Sequence, residues 1–337
     1  MPNYWRISDR KIVNGQPSST DQGPMTYWIG DGLTNDGSID WRKTTQAKFQ
    51  TLLKAASDAL NPNGDKQQED QPHVTFYVHG FNVSWDESSK SYLNICNRLF
   101  SGANSLGLCV SFDWPSYGNV LGYYPDRAHA RACAQDLTDV LSALYEYLLD
   151  KQADAADDPK NACKAKLSMI AHSMGNYVLQ NAMKNAWVRQ NQPLSASLLN
   201  QLVMAAADVD NDLFDEGAPD NPNGGAAIVN LTYRVTALYS GRDAVLGMSA
   251  GLKHFGTRRL GRSGLANRPP ISNSLPATDN VWDVDCSSFF PPDVTGVAIH
   301  GAYFQHPGSI ELIRQILRGV DRGVLQTTGV TTGQEWP

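Results

Sequence analysis

The tightest constraint on this chain is a corner within residues 167–188. Leu167–Ala171 is a short apolar run of the kind a buried strand makes, and Tyr177–Val188 repeats its apolar residues at helical spacing. Ala171-His172-Ser173-Met174-Gly175 must carry the chain from one to the other. A strand–turn–helix corner this tight brings backbones close together, so it needs small residues two before and two after its centre. Ala171 and Gly175 supply them. Ser173 then stands with its hydroxyl exposed above the sheet, where the helix N-terminus favours developing negative charge. An ordinary Ser N-cap would explain the serine alone, so the surroundings must decide.

Those surroundings alternate. Helical spacing is predicted over Thr44–Leu60, from Ser84 onward, over Pro125–Leu149 and over Pro307–Leu317. Short apolar runs at His73–Val78, Leu106–Phe112, Leu202–Ala206, Val235–Tyr239 and Val297–Ile299 read as strands. The expected class is α/β: a mostly parallel central sheet with helices on both faces. Tyr4–Ile7 and Met25–Ile29, within residues 1–40, read as N-terminal edge strands. Ala244–Ser288, rich in Gly, Arg, Ser, Asn and Pro, is expected to be an irregular cap over the pocket. Residues 1–320 read as a single domain, and 321–337 as a loosely held polar tail.

Composition narrows the function. Hydrophobic residues make up 41% of the 337 and charged residues 18%, which excludes disorder as the overall state. A net charge of −6 argues against nucleic acid as a partner, and Arg258-Arg259-Leu260-Gly261-Arg262 is too short a basic run to reverse that. Five scattered cysteines without a CxxC pair fit reduced thiols. No apolar run is long enough for a membrane span or a signal peptide, so a cytoplasmic location is expected. Metal-ligand spacings such as HExxH, Walker A and GxGxxG patterns do not occur; neither metal nor cofactor is expected.

A nucleophilic serine needs a base, and the base an orienting acid, in the chain order Ser, acid, His. After Ser173 come His254, His300 and His306. His300 suits a loop after the final strand, His306-Pro307 a helix entry, and His254 lies in the irregular segment. For the acid, Asp243 follows the Val235–Tyr239 strand. Asp208 follows Leu202–Ala206 and is the competitor, although its run with Asp210 and Asp212 also reads as a helix entry. Acyl transfer also needs backbone N–H groups aimed at the oxyanion. Met174 is one expected donor. The other comes from His79-Gly80-Phe81-Asn82, with Phe81 first choice and Asn82 second. His79 and His172 are expected to bond the backbone around the site rather than act as base.

Three motifs, Tyr77-Val78-His79-Gly80-Phe81-Asn82, Trp114-Pro115-Ser116-Tyr117-Gly118 with Tyr124 and Asp126, and Ala171-His172-Ser173-Met174-Gly175-Asn176, stand in a specific order. Ala206-Ala207-Asp208-Val209-Asp210, Tyr239-Ser240-Gly241-Arg242-Asp243, and His300 with Tyr303 follow them. Over roughly residues 70–318 this series resembles a bacterial family of largely uncharacterised α/β hydrolases. The resemblance implies the α/β-hydrolase fold and a Ser-Asp-His esterase or lipase-like activity on a small-molecule ester. It also places Trp114, Tyr117, Tyr124 and Tyr303 as candidate pocket residues. A thioesterase, amidase or acyltransferase would use the same residues, and a non-catalytic binding protein could keep the fold. Substrate and oligomeric state are not legible.

Overall fold

The computed structural model describes residues 1–61, 70–116, 123–158, 162–189, 197–253, 256–267 and 280–327. The chain divides into two compact units, Met1–Met169 and Ile170–Pro337.

The first unit contains β1 (Tyr4–Val13), β2 (Gln16–Leu33), β3 (Ile39–Thr44), α1 (Gln46–Leu60), β4 (His73–Val78), α2 (Trp85–Leu99), β5 (Gly107–Asp113) and α3 (Tyr123–Asp157). Its strands lie in the order β3-β2-β1-β5-β4. β1 and β2 form an antiparallel hairpin and β3 extends it, whereas β1–β5 and β4–β5 are parallel. Local signals set the helix starts. Thr45 caps α1, and Ser84 with Glu87 forms a capping box on α2. Contrary to the edge-strand expectation, β1 is an inner strand, flanked by β2 and β5. Its sequence disguises this, because Arg6, Ser8, Asp9 and Arg10 are buried along with Trp5 and Ile7. Arg10 Nε bonds Asp113 Oδ2 at 2.8 Å, and the Arg6 guanidinium lies over the rings of Trp41 (4.5 Å) and Trp85 (4.2 Å). These partners offset the cost of burying charge.

β6 (Lys166–His172) carries the chain across the boundary. In the second unit follow α4 (Gly175–Arg189), β7 (Leu199–Ala205), α5 (Ala226–Leu231), β8 (Thr232–Tyr239), α6 (Ala244–Met248), α7 (Leu260–Ser263), β9 (Val281–Asp285), α8 (Val297–Ala302), α9 (Pro307–Leu317) and α10 (Arg322–Thr327). The strand order here is β6-β7-β8-β9, with β7–β8 and β8–β9 parallel. The fold class is α/β, as the alternation predicts.

Three readings are corrected in this unit. Among the described residues, 244–288 is not an aperiodic excursion: it contains α6, α7 and β9, and Val281, Trp282 and Val284 of β9 are buried, while 254–255 and 268–279 lie outside the described residues. Five residues reading Val-Trp-Asp-Val-Asp are too few to reveal a period. Residues 297–299 begin helix α8 instead of forming a strand, after Gly296 at φ 63°. An apolar run of three residues cannot distinguish the two. Finally, 322–327 of the expected tail are helical, with Leu325 buried; residues 328–337 lie outside the described residues. No described helix is long and apolar enough to cross a membrane.

Candidate active site

The corner predicted from sequence is built by β6 and α4. Ser173 sits between them at φ 52°, the left-handed region that residues with a side chain rarely adopt, at a cost of about 1–3 kcal/mol. The surroundings hold it there. Its N–H donates to the Ala205 carbonyl at 3.0 Å, and its carbonyl accepts the Asp208 N–H at 3.1 Å. The wholly buried Asn176 side chain donates to the carbonyls of Ala171 (3.0 Å) and Ser173 (3.1 Å), tying the two ends of the turn together. Ala171 and Gly175 are both buried, as the crowding of the corner demands. Met174 accepts the Tyr177 N–H at 2.9 Å and so begins the helix. Its own N–H lies ahead of the first turn, among the donors that intrahelical bonding leaves over.

The same unit brings His300 and Asp243 together. His300 Nδ1 lies 2.8 Å from Asp243 Oδ2. Asp243 is fully buried, and its other oxygen accepts the Leu246 N–H at 3.0 Å as the N-cap of α6. Both carboxylate oxygens are therefore fixed, and with them the plane of the imidazole. Among the described residues, His300 Nε2 has no hydrogen-bond partner, and the side chain keeps 14% exposure. His172, which adjoins Ser173, donates its Nε2–H to the His300 carbonyl at 2.8 Å. Its ring stands 4.9 Å from the His300 ring. Arg242 holds the segment leading to α8: its guanidinium donates to the carbonyls of Ser287, Phe290, Pro291, Pro292 and Val294 at 2.6–3.2 Å.

The Asp208 carboxylate accepts from Arg259 Nε and Ser249 Oγ, both at 2.8 Å, and does not begin a helix. His306 caps α9 by accepting the Gly308 N–H, and His254 lies outside the described residues. Tyr303 is wholly buried, edge-on to Phe290 at 5.2 Å, with a hydroxyl unpartnered among the described residues. Burial first, then Cys286 and Asp243, push that phenol above its ordinary range. In the first unit, Phe81 is half-buried in the bend after β4, and Asn82 beside it has φ 59°. Trp114 is wholly buried, its indole N–H on the His79 carbonyl at 2.9 Å and its ring stacked on His79. Tyr117 lies outside the described residues, and Tyr124 is described only as backbone at the start of α3. No group of three or more His, Cys, Asp or Glu side chains that could hold a metal occurs among the described residues.

Residues 55–313 match the model of a family described as "Alpha/beta hydrolase of unknown function (DUF900)". The chain belongs to this family. Its membership makes the protein an α/β hydrolase by fold and leaves the substrate open. A relative from Nostoc sp. (strain PCC 7120), an uncharacterized protein, is 26% identical over 157 residues, which are 40% of this chain and 36% of that protein. The chain thus spans about a third of the curated relative it matches. Among solved structures, an esterase from Pyrobaculum calidifontis superposes with TM-score 0.33 at 11% identity, covering 85% of this chain and 94% of the esterase. Aspergillus fumigatus lipase B gives 0.39 at 14% identity, covering 97% and 69%.

Sequence reasoning missed the arginines of this α/β hydrolase. The basic run at 258–262 reads only as too short to bind nucleic acid, yet Arg259 is fully buried and Arg262 donates to the Asp243 carbonyl. The available signal was Gly261. A Cβ there would stand 2.1 Å from backbone atoms of Ala206 and Ala207, so the run must pack against the segment after β7.

Proposed function

We propose that this α/β hydrolase is a serine hydrolase that cleaves carboxylic esters through an acyl-enzyme on Ser173. The observation that carries the reading is the His300–Asp243 hydrogen bond, formed in the unit that holds Ser173 on a strained corner. With Nδ1–H committed to Asp243, the neutral imidazole presents Nε2 as a base. In this reading Nε2 takes the Ser173 Oγ proton as Oγ bonds to the ester carbonyl carbon. The Met174 N–H and the N-terminus of α4 stabilise the resulting oxyanion; Phe81 remains the sequence-based candidate for a second donor. Collapse of the tetrahedral intermediate breaks the C–O bond, and His300 returns the proton to the leaving alcohol. Water then attacks the acyl-enzyme by the same route in reverse, releasing the acid and restoring Ser173.

The test uses p-nitrophenyl acetate, butyrate and octanoate with wild type and Ser173→Ala, together with fluorophosphonate labelling. Wild type is expected to turn over at least one ester and to be labelled on Ser173, and the variant to do neither. Equal rates for the two proteins on every chain length, with no label on Ser173, would sink the proposal.

A further inference from the structure

The carboxylate that lost the competition for His300 has another task. The grip on Ser173 comes from the end of β7 and the segment after it: Ala205 accepts the Ser173 N–H, and the Asp208 N–H donates to the Ser173 carbonyl. That segment is itself unusual, since Ala206 has φ 44°. Something has to hold it, and the residues of and before α7 do so. Gly261 N–H donates to the Ala207 carbonyl and Leu260 N–H to the Val209 carbonyl, both at 2.9 Å. Asp210 and Arg259 form an isolated β-bridge. The fully buried Arg259 guanidinium then spans the segment from Asp208 to Asp210. Its Nε meets Asp208 Oδ1, and its other nitrogens meet the Asp208 carbonyl and the Asp210 carboxylate. Ser249 Oγ supplies a further hydrogen bond to Asp208 Oδ1.

We propose that Asp208 and Arg259 are a positioning pair that holds the nucleophile's backbone in its left-handed conformation, an inference that rests on the serine-hydrolase reading. Neither acts on substrate. The guanidinium fixes both the side chain and the carbonyl of Asp208, and the N–H of that same residue fixes Ser173. A loosened pair lets the segment relax and Ser173 drift from its strained geometry, whereas the His300–Asp243 bond is untouched.

The experiment measures kcat and KM per active site, with sites counted by exhaustive fluorophosphonate labelling of Ser173 so that unfolded molecules do not enter. The variants are Arg259→Met, Arg259→Lys, and the double variant Asp208→Leu/Arg259→Met, which removes both charges together and so avoids a lone buried ion. Arg259→Met and the double variant are expected to lose about 10–100-fold in kcat per labelled site, the size that goes with a misplacement of up to 1 Å. KM should stay within about twofold, since the loss is made in the transition state and not in binding. Arg259→Lys should recover part of kcat. The proposal is overturned if the double variant, folded by circular dichroism, keeps the wild-type kcat per labelled site. An unlabelled wild type would overturn the hydrolase reading as well, so the two failures are distinguishable.

Discussion

Each unit of this protein holds a His–Asp pair, and the two pairs have different fates. In the second, His300 Nδ1 meets Asp243 at 2.8 Å and the ring retains some exposure. In the first, His79 Nε2 lies 3.2 Å from Asp113 Oδ1, with both side chains buried. The difference is in the remaining bonds. His79 Nδ1 is engaged with the Gly80 carbonyl at 2.9 Å, and Nε2 receives the Trp114 N–H at 3.1 Å. Burial lowers the pKa of His79 more than Asp113 raises it, so the ring is neutral with its proton on Nδ1. Nε2 is then an acceptor facing Asp113 Oδ1, which agrees with that oxygen having no hydrogen-bond partner. Asp113 stays ionised for other reasons. Burial alone would raise its pKa, but Arg10 and Arg6 outweigh that and hold it below the usual carboxylate range. One pair leaves a ring nitrogen without a hydrogen-bond partner among the described residues; the other spends both on the backbone. Proximity of His to Asp does not separate them, and hydrogen-bond commitments do.

The largest test of this contrast replaces each acid by asparagine. Asp243→Asn should lower kcat by about 10⁴, because the amide no longer favours the tautomer with its proton on Nδ1. Stability should change little beyond the cap on α6, which Asn also serves. Asp113→Asn should do the reverse. It leaves Arg10 buried without its counter-ion, a loss of about 3–5 kcal/mol in unfolding free energy. Turnover per folded molecule should remain near that of wild type. Urea titration and steady-state kinetics on one ester read both. If Asp113→Asn is inactive at an unchanged melting temperature, both pairs serve turnover and the contrast between them fails.

How much of this was legible in the sequence depends on how local the signal is. The corner at Ser173 announces itself, because backbone crowding demands Ala171 and Gly175 within five residues. Helices α1, α2, α4 and α9 are likewise readable from spacing, and α9 also from its His306-Pro307 entry. The sequence points β1 to the edge because its buried arginines are compensated by residues far along the chain: Trp85 for Arg6 and Asp113 for Arg10. Asp208 remains a competitor of the preferred Asp243 in the sequence for the same reason. Arg259, 51 residues after Asp208, is what takes up that carboxylate. A local pattern can nominate an acid but cannot show which other side chain has already claimed it.

Acid sensitivity sharpens the contrast further, since neutral buried histidines carry a definite sign. His73 Nδ1 bonds Ser168 Oγ at 2.8 Å, and burial, helped by Lys166, pushes its pKa down to about 3. His79 is shifted in the same direction. A depressed pKa means that the unfolded chain binds the proton first. The stabilisation is therefore complete above the unfolded value of about 6.5 and is lost as pH falls towards the folded one. Each such histidine steepens the loss by at most about 1.4 kcal/mol per pH unit. His73→Phe should flatten the stability curve between pH 6 and 3.5, as read by denaturant titration at each pH. An unchanged slope would mean that this ring is protonated in the fold.

The smallest effect separates the proposed base from its support. His172 touches His300 through one hydrogen bond, from Nε2–H to the backbone carbonyl at 2.8 Å, and its ring also packs edge-on against Phe304 at 5.4 Å. His172→Phe keeps an aromatic ring there and removes the donor, so the His300 carbonyl loses one bond while Asp243 still orients the imidazole. A single neutral hydrogen bond is worth about 0.5–1.5 kcal/mol, and the same energy expressed in the transition state is about a two- to twelvefold loss of kcat. The expected result is a variant with a few-fold lower kcat and an unchanged pH–rate profile, because His300 keeps its hydrogen bond to Asp243. A loss as deep as that of Asp243→Asn, or a displaced pH profile, would show that His172 takes part in the proton transfer itself. The second unit would then hold a relay of two histidines and not a supported single base.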